Sequence, residues 1–254
     1  MSTKPVSAVV RHRGLQCPFN SSQYISISLH LLTTGCFLAF ALTGCLDSMS
    51  LLVSSVIFSV LTCCIVAAWL FTSSVDASIV PNSCFERCCC SSMYCFKRAQ
   101  LKTRYCAVSK KKVIGMDHYC VWMNTAIGAR NYVGFFMVAL FSTFLLWSQM
   151  FVSVLGLTNA AATTTTLAIS SVQLLCSVVV AAPYTTLLGF HLHLVAKQTS
   201  TFDFLMARAL AKASKRKAAA AVAAAAAALP AAAATADVGT KQPTGSTQEL
   251  TQTY

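Results

Sequence analysis

The sequence predicts an all-α membrane protein with four transmembrane helices and a small cytosolic cysteine-rich domain between helices 2 and 3. Three observations carry that prediction. The chain is 56% hydrophobic and only 10% charged, with a mean hydropathy of +0.64, whereas an ordinary soluble domain has about 25% charged residues. It contains four long apolar runs without Asp, Glu, Lys or Arg. When those runs are threaded through a bilayer, every Lys and Arg falls on the same side.

The elements follow in order. Residues 1–24 form a cytosolic N-terminus carrying Lys4, Arg11 and Arg13 with no adjacent apolar core, so no cleaved signal peptide is expected. The first span covers about 25–46, the second 51–71, the third 132–155 and the fourth 167–194. Each meets the roughly 20 residues that a helix needs to cross a bilayer. No charge lies between Arg13 and Asp47, between Asp47 and Asp76, or between Arg130 and Lys197. One mid-membrane charge costs about 2.5–3.5 kcal/mol on insertion scales, so this absence is what spanning helices require. A helix on the surface of a soluble core shows an apolar stripe with polar residues opposite, and these runs do not. Residues 72–131 are too polar to span and make the cysteine-rich domain. Residues 195–217 form a cytosolic basic segment. Residues 218–254 read as a low-complexity tail: an alanine tract broken at Pro230, transiently helical rather than a fifth span, and then a disordered end from Asp237 to Tyr254.

The formal net charge of +12 does not point to nucleic acid. The cations flank apolar runs, where Lys and Arg mark cytosolic loops and meet anionic lipid. They form three groups: the N-terminus, the segment from Arg87 to Arg130, and the C-terminal part from Lys197 to Lys241. Both termini are therefore expected in the cytosol. Seven of the thirteen cysteines lie between Cys84 and Cys120. Cytosolic thiols stay reduced, so metal binding, acylation or catalysis is expected rather than a disulfide framework.

The most informative stretch runs from Cys106 to Phe136. It contains Asp117-His118-Tyr119-Cys120-Val121-Trp122-Met123-Asn124, then Ile127-Gly128-Ala129-Arg130-Asn131-Tyr132. Transfer of an acyl group from a thioester to a thiol needs a soft nucleophile that can hold the acyl group in turn. Cysteine does this as the thiolate, so it needs a nearby base or cation. His118 can take the Cys120 proton and Asp117 can orient an imidazole, although adjacency in sequence does not show that Asp117 reaches His118 itself.

The run resembles the DHHC family of protein S-acyltransferases (palmitoyltransferases), in a DHYC variant. The family core reads DHHCPW, then N, then G-x-x-N-Y, just before a third transmembrane helix. Asp76-Ala77-Ser78 stands where the family has Asp-Pro-Gly, and Ser200-Thr201-Phe202-Asp203 where it has Thr-Thr-x-Glu. The resemblance covers about 25–203. It implies that Cys120, with His118 and Asp117, accepts a long-chain acyl group from palmitoyl-CoA and passes it to membrane-proximal cysteines of client proteins. Trp122, Asn131 and Thr201 fall on its substrate-binding positions. It implies no required cofactor beyond acyl-CoA as substrate, the lipid bilayer as partner, no nucleic acid, and an endomembrane (Golgi or ER) or plasma-membrane location. The cations at Lys110, Lys111 and Lys112 are placed to attract CoA phosphates.

The family fold also holds two structural zinc ions, each on three Cys and one His, and here the sequence departs. In the ungapped register the first site falls on Ser92, Cys95, Tyr105 and Lys112, and the second on Cys106, Ser109, Tyr119 and Ala126. Only Cys95 and Cys106 survive as ligand residues, and a closed zinc site needs four N or S donors. Both zinc sites are expected to be lost. Cys84, Cys88, Cys89 and Cys90 have two standing readings, as acylated juxtamembrane anchors or as free thiols. His191 and His193, at the inner end of the fourth span, have two readings, as contacts to CoA or the site and, more commonly for such a position, as packing or snorkelling groups, and His30 reads as a helix–helix hydrogen-bonding group. Two other functions compete with the enzyme: a catalytically silent DHHC-like scaffold that binds clients, and an unrelated four-span transporter. The second predicts ionisable groups within the spans, and apart from these histidines there are none.

Overall fold

The computed structural model describes residues 10–79 and 102–236. Cys84, Cys88, Cys89, Cys90, Ser92, Cys95 and the tail 237–254 lie outside the described residues, as do the readings made for them. Among the described residues, four helices are long and apolar enough to cross a membrane: α1 (Ser21–Ala41), α2 (Ser48–Ser74), α3 (Tyr132–Thr158) and α4 (Thr164–Ala196). The chain is a multi-pass membrane protein. Between α2 and α3 the described residues form two antiparallel hairpins, β1 (Arg104–Cys106) with β2 (Lys111–Val113), and β3 (His118–Cys120) with β4 (Thr125–Ile127).

The helix ends are set by polar caps that hydropathy does not register. The Asn20 side chain accepts from the Gln23 amide at 2.7 Å and starts α1 four residues before the apolar run. That helix ends at Ala41 rather than near 46, because the chain turns through Gly44 at φ +65°. Asp47 caps α2 through the amides of Met49 and Ser50, and Thr163 caps α4 through Thr166.

α3 is the central element. It packs against α2 and α4, and α1 packs on α4. Close approach to α2 is made at Gly134, where a Cβ would collide with the Thr72 hydroxyl, as small residues allow at helix crossings in membranes. Farther along, Phe37 of α1 stacks on Phe58 of α2 with centroids 4.2 Å apart. His30 reaches from α1 to the Ser142 hydroxyl of α3 at 3.5 Å, a helix–helix contact. Leu31, Leu52, Phe151 and Leu175 point outward and stay exposed, as lipid-facing side chains do.

A last helix, α5 (Thr201–Ala236), follows α4 directly. Ser200 caps it, accepting from the Asp203 amide at 3.1 Å. Met1–Phe204 form one compact unit and Leu205–Tyr254 a second, so α5 contributes its first turn to the first unit. The alanine tract, read from the sequence as low-complexity and transiently helical, continues α5 past Pro230 to Ala236, because alanine is the strongest helix former and loses no side-chain entropy.

Candidate active site

The site is built on the β3–β4 hairpin. Its register pairs His118 with Ile127, Tyr119 with Ala126 and Cys120 with Thr125. Side chains alternate along a strand, so His118 and Cys120 face one side and Tyr119 the other. Cys120 joins an apolar cluster with Met123, Ile127, Tyr132, Phe135 and Phe136, packed against α2 and α4 through Trp69 and Leu187. Tyr119 packs on a second cluster with Ala77, Cys106, Val113, Met116 and Ala126. The turn between the strands uses Asn124 at φ +54°, a conformation that Asn tolerates better than most side chains.

Asp117 does reach its neighbour: its Oδ2 lies 2.8 Å from His118 Nδ1. The same carboxylate is buried and accepts the Thr201 amide on Oδ1 at 2.8 Å and the Thr201 hydroxyl on Oδ2 at 2.7 Å. Burial disfavours the Asp117 charge, but the His118 and Thr201 hydrogen bonds prevail and hold its carboxyl below the usual value. Burial likewise opposes charge on His118. Asp117 and the hydrogen-bonded Cys120 side chain outweigh it and raise the imidazole from 6.5 to about 9. The Asp117 contact thus favours the imidazolium form of His118. With Nδ1 engaged by Asp117, Nε2 is the nitrogen available to the thiol.

His191 completes the setting, and the snorkelling reading fails for it. It is 1% exposed, and its Nδ1 lies 3.0 Å from the Tyr132 hydroxyl. Its ring is 5.8 Å from that of His118, and Phe135 packs edge-on against both rings at 4.9 Å. The donor atoms of Asp117, His118 and His191 lie within 4.8 Å of one another. That spacing would suit a metal, but Asp117 is committed to His118 and Thr201, and His191 Nδ1 to Tyr132. The arrangement suits proton handling. The only sequence signal for His191 was its position at the inner end of a span.

The other predicted residues fall in different places. Trp122 sits in the hairpin turn and is half exposed. Asn131 is fully buried. It donates to the Thr72 and Ala126 carbonyls at 3.3 and 3.1 Å and accepts from the Gly128 amide at 2.9 Å, so it staples β4 to the end of α2. Thr201 is spent on Asp117. Lys111 does not face solvent, contrary to its expected role toward CoA phosphates: its Nζ is 2.7 Å from Asp76 Oδ1 and 2.7 Å from the His12 carbonyl. Lys110 and Lys112 are exposed. Asp203 pairs with Arg104, whose guanidinium lies 4.2 Å over the Phe202 ring.

Of the zinc positions among the described residues, only Cys106 carries a usual donor. Three of the second set, Cys106, Tyr119 and Ala126, converge in the apolar cluster with Met116. Ser109 is buried, with its hydroxyl unpartnered among the described residues. One thiol and a methyl-lined cluster do not fit a zinc ion. In the first set, Tyr105 pairs in register with Lys112, both exposed, and neither is a zinc ligand of the usual kind.

Comparison with known proteins bears on these side chains. A family model described as DHHC palmitoyltransferase matches residues 83–208. The chain is 32% identical over 122 residues to "Probable protein S-acyltransferase 13" of Arabidopsis thaliana, covering 43% of this chain and 40% of that protein. It is 33% identical over 107 residues to "Palmitoyltransferase ERF2" of Eremothecium gossypii, covering 42% and 29%. It is 30% identical over 154 residues to "Palmitoyltransferase erf2" of Emericella nidulans, covering 58% and 24%. The chain thus matches well under half the length of these relatives.

Proposed function

The chain belongs to the DHHC palmitoyltransferase family, and from that premise we propose that it is a protein S-acyltransferase working through an acyl-Cys120 intermediate. The observation that supports this best is the hydrogen-bonded line Thr201–Asp117–His118, with Cys120 on the same face of the β3–β4 hairpin as His118. Cys120 thiolate attacks the carbonyl carbon of a long-chain acyl-CoA. The carbon–sulfur bond to CoA breaks, and the CoA sulfur takes the proton from His118. The neutral imidazole then accepts the proton of an incoming client cysteine. That thiolate attacks the acyl-enzyme, and Cys120 leaves as thiolate beside the restored imidazolium. Asp117 keeps the imidazole oriented throughout and favours its charged form before the first transfer and after the second.

The substrates in this reading are palmitoyl-CoA and membrane-proximal client cysteines, met at the cytosolic face of an endomembrane or the plasma membrane with both termini in the cytosol. Exposed Lys110 and Lys112 attract the CoA phosphates, Trp122 at the hairpin turn lines the path to the thiol, and no metal takes part. The test is to incubate the full chain with an alkyne-tagged palmitoyl-CoA and read the label before and after hydroxylamine. A hydroxylamine-sensitive label that disappears in Cys120→Ser is expected. An unlabelled wild type, or equal labelling of Cys120→Ser, overturns the reading.

A further inference from the structure

The segment that enters α1 is bound to the β1–β2 hairpin, to the end of α2 and to the β3–β4 turn. The Arg11 amide donates to the Ser109 carbonyl in the β1–β2 turn at 3.1 Å. His12 Nδ1 lies 2.7 Å from Asp76 Oδ2 beyond α2, and its carbonyl accepts from Lys111 of β2. The Gly14 amide donates to the Ser73 carbonyl at 2.8 Å. Gly14 lies so close under the β3–β4 turn that a Cβ there would overlap the Met123 carbonyl oxygen. Asn20 Nδ2 donates to the Val121 carbonyl at 2.8 Å and to Asn124 Oδ1 at 3.2 Å. Asn124 returns bonds to the Pro18 carbonyl and Gln23 Oε1. Tyr119, at the second zinc set, donates its hydroxyl to the same Asn124 Oδ1 at 2.8 Å.

A zinc ion on the second set would tie the β1–β2 turn, through positions 106 and 109, to β3 and β4, through 119 and 126. The residues there no longer offer the donors. The same pieces are instead cross-linked by hydrogen bonds to one strap, residues 10–23. We propose that this strap is a metal-free clamp, holding the β3–β4 hairpin that presents His118 and Cys120 in place of a zinc ion. Its residues position the site and touch no reacting atom. Because the bonds are local and directional, releasing the strap loosens the hairpin first and leaves the four-helix core packed.

The proposal rests on the acyltransferase reading only for its activity readout, so the experiment pairs that with one independent of it. Full-length protein in nanodiscs is compared as wild type, Asn20→Asp and Gly14→Ala, by amide hydrogen exchange over 117–127 and by acyl-Cys120 formation from alkyne-tagged palmitoyl-CoA. Asn20→Asp keeps the oxygen that caps α1 and loses both bonds donated by Nδ2. It is expected to speed exchange over 117–127 about tenfold, as loss of two hydrogen bonds implies, and to slow acyl-enzyme formation by a similar factor. Gly14→Ala is expected to do the same by lifting the strap from Met123, while exchange in α3 stays as in wild type. A chelator is expected to leave wild-type exchange unchanged. The proposal is overturned if neither variant changes exchange over 117–127, or if chelation alone opens the hairpin. A hairpin that loosens as expected in a protein that never acquires label would leave the clamp standing and remove the enzyme reading.

Discussion

Thr201 holds both oxygens of Asp117, donating its amide to one at 2.8 Å and its hydroxyl to the other at 2.7 Å. The pair joins the first turn of α5 to the strand carrying His118, across 84 positions of sequence. Thr201→Val keeps the amide donor and the shape but removes the hydroxyl. A hydrogen bond to a charged group contributes about 1.5–3 kcal/mol, so acyl-enzyme formation is expected to fall at least tenfold. Thr201→Ser is expected to restore most of it. Equal rates for Val and Ser variants would show that the hydroxyl contributes nothing.

The pH dependence follows from the same carboxylate. Against burial, the Asp117 and Cys120 side chains push His118 up to about 9 from 6.5 for the free group. Its folded pKa is raised, so the stability from its pairing with Asp117 is fully present below about pH 6.5 and is lost as pH rises through about 9. Acyl-enzyme formation is expected to show an alkaline limb near pH 9. Asp117→Asn removes the charge that sustains the imidazolium, so the limb is expected to move toward neutral pH. Rate profiles of labelling across pH 6–10 measure both. A limb that stays in place in the variant would detach His118 from Asp117.

Lys111 and Lys112 are neighbours in β2 with opposite fates. Lys111 and Asp76 are both under a tenth exposed and 2.7 Å apart. Burial opposes the Asp76 charge, but Lys111, Ser78 and His12 hold its carboxyl well below the usual range. Removing one partner of a buried pair costs about 3–5 kcal/mol, and the remaining His12 contact places Lys111→Met near the lower end. Lys112→Met is expected to change stability by no more than about 0.5 kcal/mol while raising the KM for acyl-CoA. Denaturant titration of the two variants in detergent separates them. The Asp76 contribution is present above about pH 3.8 and is lost as pH falls through its lowered folded value.

Asn131 stands at a family motif position, but its side chain faces inward. Asn131→Ala strips the partners from the Thr72 and Ala126 carbonyls and the Gly128 amide, and each orphaned buried group costs about 1–3 kcal/mol. Lower thermal stability with an unchanged KM for acyl-CoA is expected. A raised KM at unchanged stability would return the residue to substrate binding.

What the sequence made legible divides along physical lines. The spans were readable because a missing charge is a property of each run by itself. Their ends were not, because Asn20, Asp47 and Thr163 are polar residues recruited as caps. Asp117, His118 and Cys120 were readable as a run, while the shared face of His118 and Cys120 was not. A three-residue strand exists only through its pairing with β4. The Thr201–Asp117 contact and the strap to Asn124 join residues far apart in the chain. The residues that replace the zinc donors were visible as substitutions, but not the strap that crosses over them.

His191 offers the sharpest remaining separation between packing and chemistry. It is buried behind His118, its Nδ1 is held by Tyr132, and Phe135 wedges against both imidazoles. If it only fills space, His191→Phe retains an aromatic ring and is close to neutral. If its nitrogen and the Tyr132 hydroxyl fix the polar surroundings of His118, the variant loses about tenfold in acylation rate, or about 1.4 kcal/mol, at nearly constant thermal stability. Tyr132→Phe removes the hydroxyl alone and is expected to act in the same direction. Because the two groups act through one hydrogen bond, adding Tyr132→Phe to His191→Phe is expected to cost nothing further. Single-turnover labelling of the two single variants and the double variant measures that coupling, and additive losses would show that the two side chains act separately.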